Sequence, residues 1–62
     1  MGYTVVKKLR QFNLLKELDG KYVAEHVIRH RFEIDRPTII QNTWLYTNGH
    51  LTKSGDYWRV TA

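Results

Sequence analysis

The chain has 62 residues, with ten Lys and Arg against six Asp and Glu, a formal net charge of +4 and no cysteine. This length allows one domain at most, and the lack of cysteine excludes a disulfide framework or a thiolate metal site. No apolar run approaches the ~20 residues of a membrane span, so we expect a cytoplasmic protein without a membrane partner. The positive charge suits a polyanionic partner, although many small domains carry such an excess for solubility alone.

The first predicted element is a helix over residues 3–18. Its apolar residues recur at three- and four-residue steps, as on one stripe of a helix. Gly20 follows and suits the left-handed position that ends many helices. We expect the stripe to enter the core; it consists of Val5, Leu9, Phe12, Leu15 and Leu18.

Residues 21–32 have a second helical pattern, in which Ala24, Ile28 and Phe32 share one stripe. A strand over residues 22–28 is the alternative, because β-branched residues are frequent there. The four-residue spacing of the stripe favours the helix.

A third helix is predicted over residues 36–47. Asp35 can cap it, and Pro37 is tolerated in a first turn because its missing N–H would have no partner there. Gly49 is suited to the position that follows the helix. Its buried face stays open, because two adjacent apolar pairs compete for it: Ile39-Ile40 and Trp44-Leu45.

Residues 51–60 alternate as two short strands around a turn at residues 53–56, which contains the glycine that a tight hairpin needs. Trp58 and Val60 share one face, which we expect to pack on the helices, because an isolated hairpin is only marginally stable. The predicted fold is therefore α+β, with three helices and a C-terminal two-stranded hairpin in a single domain over residues 1–62.

This order of elements resembles the winged helix-turn-helix family of DNA-binding domains, over about residues 5–61. The chain departs from the family in having Arg29 and Glu33 where a small residue and a glycine are usual, and in leaving almost no room for a first strand at residues 19–21. The resemblance is carried by the entry to the third helix and by the hairpin: Ile34-Asp35-Arg36-Pro37-Thr38, then Gly49-His50-Leu51, Ser54-Gly55 and Tyr57-Trp58-Arg59.

The resemblance implies a helix-turn-helix core with a C-terminal wing that binds double-stranded DNA. A compact regulator of transcription, replication or recombination, of phage or plasmid type, suits the minimal size. We expect a homodimer or a cooperative assembly on DNA, because a reader of one half-site binds weakly.

In such a complex the third helix enters the major groove, where Arg can pair with guanine and Gln or Asn with adenine. The wing would reach the backbone or the neighbouring minor groove, and further cations would contact phosphates. The implied recognition-helix residues are Arg36, Thr38, Gln41 and Asn42; the wing residues are Lys53, Ser54 and Arg59; the spare phosphate contacts are Lys7, Lys8, Arg10 and Lys21.

The sequence has no pattern that predicts an enzyme, a cofactor or a metal site. His26 and His30 have the i, i+4 spacing of two metal ligands, but no third ligand is evident except His50. We interpret the pair as polar-face histidines of a helix. Nucleophile elbows, ordered catalytic triads and phosphate-binding glycine loops are also missing.

Two alternatives to duplex binding stay open. Exposed aromatic side chains could anchor a partner protein, which would make the chain an interaction module or an inhibitor. Aromatic faces beside basic residues could instead stack the bases of single-stranded nucleic acid. The aromatic residues concerned are Tyr22, Trp44, Tyr46, Tyr57 and Trp58. Outward-facing Gln41 and Asn42 would favour a DNA reader, whereas outward-facing Ile40 and Trp44 would favour a protein binder.

Overall fold

The structure is a computed structural model that describes residues 2–62, apart from the side chain of Tyr3. It has the α+β composition that the sequence predicts. No helix in this part of the chain combines the length and apolar character needed to cross a membrane. In chain order the elements are α1 (Tyr3–Leu18), β1 (Tyr22–Ala24), α2 (Glu25–Arg31), a 3-10 helix (Ile40–Asn42), α3 (Trp44–Thr47), β2 (Leu51–Ser54) and β3 (Tyr57–Val60).

The three strands form one antiparallel sheet in the order β1-β3-β2. The hairpin of β2 and β3 confirms the predicted pair of strands, whereas β1 is an addition that the sequence did not predict. Gly20, at a φ of 80°, turns the chain directly from α1 towards the sheet. Backbone bonds from Gly20 N to Val60 O (2.7 Å) and from Val60 N to Lys21 O (2.9 Å) then align β1 with β3.

The predicted helix over residues 21–32 is wrong in its first part, where β1 stands. Tyr22 and Val23 suit a strand, and they gain backbone partners on β3 opposite Arg59 and Trp58. The alternative of a strand over 22–28 is confirmed for residues 22–24 and wrong beyond them, because α2 begins at Glu25. A local pattern could not reveal this boundary, since the partner strand lies more than 30 residues away.

The predicted continuous helix over residues 36–47 is also wrong. The chain makes a turn at residues 36–38, a single turn of 3-10 helix, and then the four-residue α3. Thr43 lies between the two short helices in an extended conformation. Its hydroxyl donates to Ile40 O at 2.7 Å and accepts weakly from Tyr46 N at 3.5 Å. Thr43 therefore ends one helix and caps the next, because its side chain competes for backbone groups.

A single apolar cluster forms the core between the helices and one face of the sheet. Trp58 lies within it, as the alternation of β3 predicts, and Trp44 is half-buried at its edge. The buried members are Leu14, Leu15, Leu18, Ile28, Phe32, Ile34, Ile40, Leu45, Leu51, Trp58 and Val60.

The predicted core stripe of α1 is wrong in its N-terminal half. Val5, Leu9 and Phe12 are 47%, 54% and 42% exposed. At 100° per residue they lie on the opposite side of α1 from Leu18 and from Gln11, which is only 7% exposed. Helix α1 thus has two apolar sides, and only one of them packs on the core.

Candidate nucleic-acid interface

The turn after α2 depends on a residue in the left-handed region. Glu33 has a φ of 57°, a backbone conformation that residues other than glycine, Asn and Asp seldom adopt. Backbone bonds from Ile34 N to Arg29 O and from Thr38 N to Asp35 O, both 2.9 Å, close the turns on either side. Glu33 therefore has a backbone conformation that glycine adopts more readily.

Arg29 binds the backbone of the segment that follows this turn, residues 34–38, which we call the entry segment. Its Nη1 donates to the carbonyl oxygens of Asp35 (3.1 Å), Arg36 (3.4 Å) and Thr38 (2.7 Å). This nitrogen carries two N–H groups, so the three carbonyl oxygens share them, and the longest of the three contacts is the weakest. A small residue at position 29 could not make these contacts, which fix the entry segment against α2.

Glu25 connects Arg29 to the hairpin. Its Oε2 lies 3.6 Å from Arg29 Nε, and its Oε1 lies 3.9 Å from Lys53 Nζ. The same Oε1 accepts a 3.4 Å hydrogen bond from Trp58 Nε1. Lys53 Nζ also lies 5.1 Å from the centre of the Trp58 ring. The start of α2, the entry segment and β2 therefore meet on one side of the molecule.

A basic cleft opens next to the entry segment. Its volume is about 340 Å³, and it is lined by His26, Arg29, His30, Ile34 and Arg36. None of these lining residues is acidic. The guanidinium of Arg36 makes no ion pair with any described residue and is exposed, so it is accessible to an anionic ligand.

The structure of the 3-10 helix and α3 shows which side chains of this segment face solvent, a question that the sequence left open. Gln41 and Asn42 are exposed, Ile40 is buried, and Trp44 is half-buried against the core. The exposed polar pair follows the entry segment directly. Thr38, by contrast, is half-buried, and its carbonyl is occupied by Arg29.

The three predicted wing residues do not share one face of the sheet. Lys53 pairs with Trp58 in the register of β2 and β3, on the face that packs on the core. Ser54 and Arg59 lie on the opposite, outer face, because side chains alternate along a strand. Only Lys53 therefore belongs to the side that carries Arg36.

The four spare phosphate contacts are dispersed. Lys8 Nζ lies 5.0 Å from the centre of the Trp44 ring, and Arg10 forms a 3.1 Å ion pair with Glu33. Lys7 and Lys8 line a second cleft, of about 330 Å³, between α1 and residues 33–44. Lys21 is exposed beside β1.

Sequence reasoning missed the two residues that assemble this side, Glu25 and Arg29. Their i, i+4 spacing predicts an ion pair on the surface of a helix, but it does not predict contacts with the turn or the hairpin. The contacts of Arg29 to three carbonyl groups depend on the path of residues 35–38, which the sequence pattern did not predict.

No three His, Asp or Glu side chains within the described residues are grouped closely enough to hold a metal ion. Comparisons with protein-family models, with curated proteins and with solved structures found no match.

Proposed function

We propose that the chain binds double-stranded DNA through the side that carries the entry segment and the 3-10 helix. The observation that supports this most is the contact of Glu25 with both Arg29 and Lys53, which brings helix, turn and hairpin together. The observed order of helices and strands, with the hairpin last, agrees with the resemblance to winged helix-turn-helix domains. A regulator of transcription, replication or recombination is the role that we infer.

The chemistry of this side suits a duplex. Arg36 offers a free guanidinium at the edge of a cleft, where it can bind a phosphate or the two acceptors of a guanine. Gln41 and Asn42 offer amides of the kind that read adenine. A single 3-10 turn presents fewer side chains to a groove than a continuous helix does, so phosphate contacts should supply most of the affinity.

The exposed side of α1 supports the homodimer in this proposal. Val5, Val6 and Leu9 form an exposed apolar strip, and Phe12 continues it, although its ring also contacts that of Trp44 at 4.9 Å between centroids. From their exposure we estimate about 300 Å² of apolar surface per copy, well below the ~800 Å² per partner of a stable interface. Self-association should therefore be weak in free protein and stronger when DNA aligns two copies.

The proposal is tested by fluorescence anisotropy with a labelled 20-base-pair duplex at 50 mM salt. We expect Arg36→Ala to weaken binding about 5- to 100-fold, the effect of losing a specific Arg contact. The matched control is Lys16→Ala, which removes the same charge from an exposed site on α1 and should change the affinity less than about twofold.

Two results would overturn the proposal. One is the absence of duplex binding by the wild-type chain at 50 mM salt. The other is an equal effect of Arg36→Ala and Lys16→Ala, because binding would then depend on net charge and not on this side of the molecule. Circular dichroism of both variants checks that they fold like the wild-type protein.

A further inference from the structure

The outer face of the sheet carries an arrangement that duplex binding does not use. The register places Tyr22 opposite Arg59, and Arg59 opposite Thr52. In the next row of the same face Ala24 lies opposite Tyr57, which lies opposite Ser54. These six side chains form the outer sheet face; they point away from the core, since Val23, Trp58 and Val60 occupy the inner positions.

Two tyrosine side chains on this face are exposed to solvent. Tyr22 is 60% exposed and Tyr57 is 52% exposed. The cross-strand neighbours of Tyr57 are the small residues Ala24 and Ser54, whereas that of Tyr22 is Arg59. Neither ring packs against another aromatic group in the part of the chain that the structure describes.

Two cations lie next to the rings, and the acidic Asp56 lies outside this face, in the turn before Tyr57. Arg59 lies opposite Tyr22 and two residues from Tyr57 on β3, and Lys21 immediately precedes β1. Neither cation forms an ion pair within residues 2–62, whereas Arg10, Arg29, Arg31 and Lys53 all do. None of the six residues of the outer sheet face is acidic.

We propose that the outer sheet face binds single-stranded nucleic acid, with bases stacked on Tyr22 and Tyr57 and phosphates bound by Arg59 and Lys21. Tyr22 and Tyr57 are diagonal neighbours, and such positions lie roughly 7–8 Å apart. This separation corresponds to about two steps of ~3.4 Å along a strand of bases. Aromatic platforms beside cations bind single strands because every base has a π face.

The same features argue against two other occupants. A base pair within a duplex is already stacked on its neighbours, so the tyrosine rings cannot reach its faces. A second copy packed face to face would bring Arg59 close to its own counterpart, and like charges in an interface are unfavourable. In single-stranded nucleic acid the unpaired bases can stack on the rings, and the phosphates can bind the cations.

The proposal does not rest on duplex binding, and one set of anisotropy titrations separates the two. The probes are fluorescein-labelled dT15, rU15 and a 20-base-pair duplex at 50 mM salt. We expect Tyr22→Ala and Tyr57→Ala each to weaken dT15 binding about 5- to 150-fold, the effect of losing one stacked base. Tyr22→Phe keeps the π face and should retain the wild-type affinity within about twofold.

The controls assign the effect to the outer sheet face. Arg36→Ala should leave dT15 binding unchanged, and Tyr22→Ala should leave duplex binding unchanged. Equal affinities for dT15 and rU15 would support recognition of base and phosphate alone, whereas a preference for one of them would support a further contact to the sugar. Thermal unfolding of each variant shows that the outward substitutions leave the fold intact.

Three outcomes would overturn the proposal. The first is the absence of dT15 and rU15 binding by the wild-type protein. The second is a wild-type affinity for dT15 in Tyr22→Ala and Tyr57→Ala. The third is a loss of dT15 binding in Tyr22→Phe as large as in Tyr22→Ala, because stacking would then not be the cause.

Discussion

Gln11 is the residue whose replacement should have the clearest effect on the fold. It is the buried polar side chain of the core, at 7% exposure. Its Nε2 donates to Phe32 O at 2.7 Å, and its Oε1 accepts from Trp44 Nε1 at 2.8 Å. One amide thus joins α1 to the end of α2 and to the start of α3.

Gln11→Leu keeps the approximate size of the side chain but removes both bonds. The Phe32 carbonyl then loses its partner in a buried place, and such a group costs about 1–3 kcal/mol. The indole N–H of Trp44 is only partly buried, so water can replace a share of its bond. We estimate a net loss of about 2–3 kcal/mol, against a total free energy of unfolding of about 3–9 kcal/mol for 62 residues.

Urea and thermal unfolding measure this loss directly. For a domain of this size it corresponds to a fall in Tm of about 10–20 °C. Asn13→Leu is the matched control, because Asn13 is exposed on the same helix and should shift stability by no more than about 0.5 kcal/mol. In a Trp44→Phe background Gln11→Leu should cost about 1 kcal/mol less, since the indole donor is already gone. A Gln11→Leu variant as stable as the wild-type protein, or one with the same cost in both backgrounds, would refute this account.

Two further predictions concern the turn. Arg29→Lys should lower the free energy of unfolding by about 1–2 kcal/mol, because Arg29 binds the carbonyls through Nη1 and Glu25 through Nε, and the single nitrogen of a lysine cannot bind at both places. Urea unfolding beside the exposed control Arg31→Lys checks it, and equal effects would contradict it. Glu33→Gly should raise the free energy of unfolding by up to about 1 kcal/mol, since the relief at φ 57° exceeds the value of a half-exposed ion pair with Arg10. A lower Tm for Glu33→Gly would show that the ion pair matters more than the backbone strain.

The sequence correctly predicted the elements that have both a regular apolar pattern and a glycine where the element ends or turns. The helix over residues 3–18 has a repeated pattern and a glycine after it, and the hairpin has alternation with a glycine in its turn. Strand β1 has only three residues and exists because β3 offers it a partner. The break at Thr43 arises from a side chain that bonds its own backbone, which the apolar pattern of residues 36–47 does not reveal.

The candidate interface was predictable in part for the same reason. Arg36, Gln41 and Asn42 were candidates by residue type, but the sequence left open whether Gln41 and Asn42 face solvent. The choice between the two apolar sides of α1 is a tertiary property, because either side satisfies the helical period. Alternation with Trp58 and Val60 already places Arg59 on the outer face, whereas the place of Lys53 on the inner face depends on the register of β2 against β3.

The ion pairs of the described residues divide the cations into two groups with different roles. Arg10, Arg29, Arg31 and Lys53 each meet a glutamate within 4 Å, so their replacement changes folding contacts as well as charge. The second group forms no ion pair among residues 2–62; it contains Lys7, Lys8, Lys16, Lys21, Arg36 and Arg59. Exposed cations without partners contribute little to stability, yet they carry the excess charge that a phosphate backbone attracts. Because Arg36, Lys21 and Arg59, the cations that the two proposals use for phosphate or base contacts, come from the second group, a loss of affinity in their variants should reflect a lost contact with the ligand and not a loss of the fold.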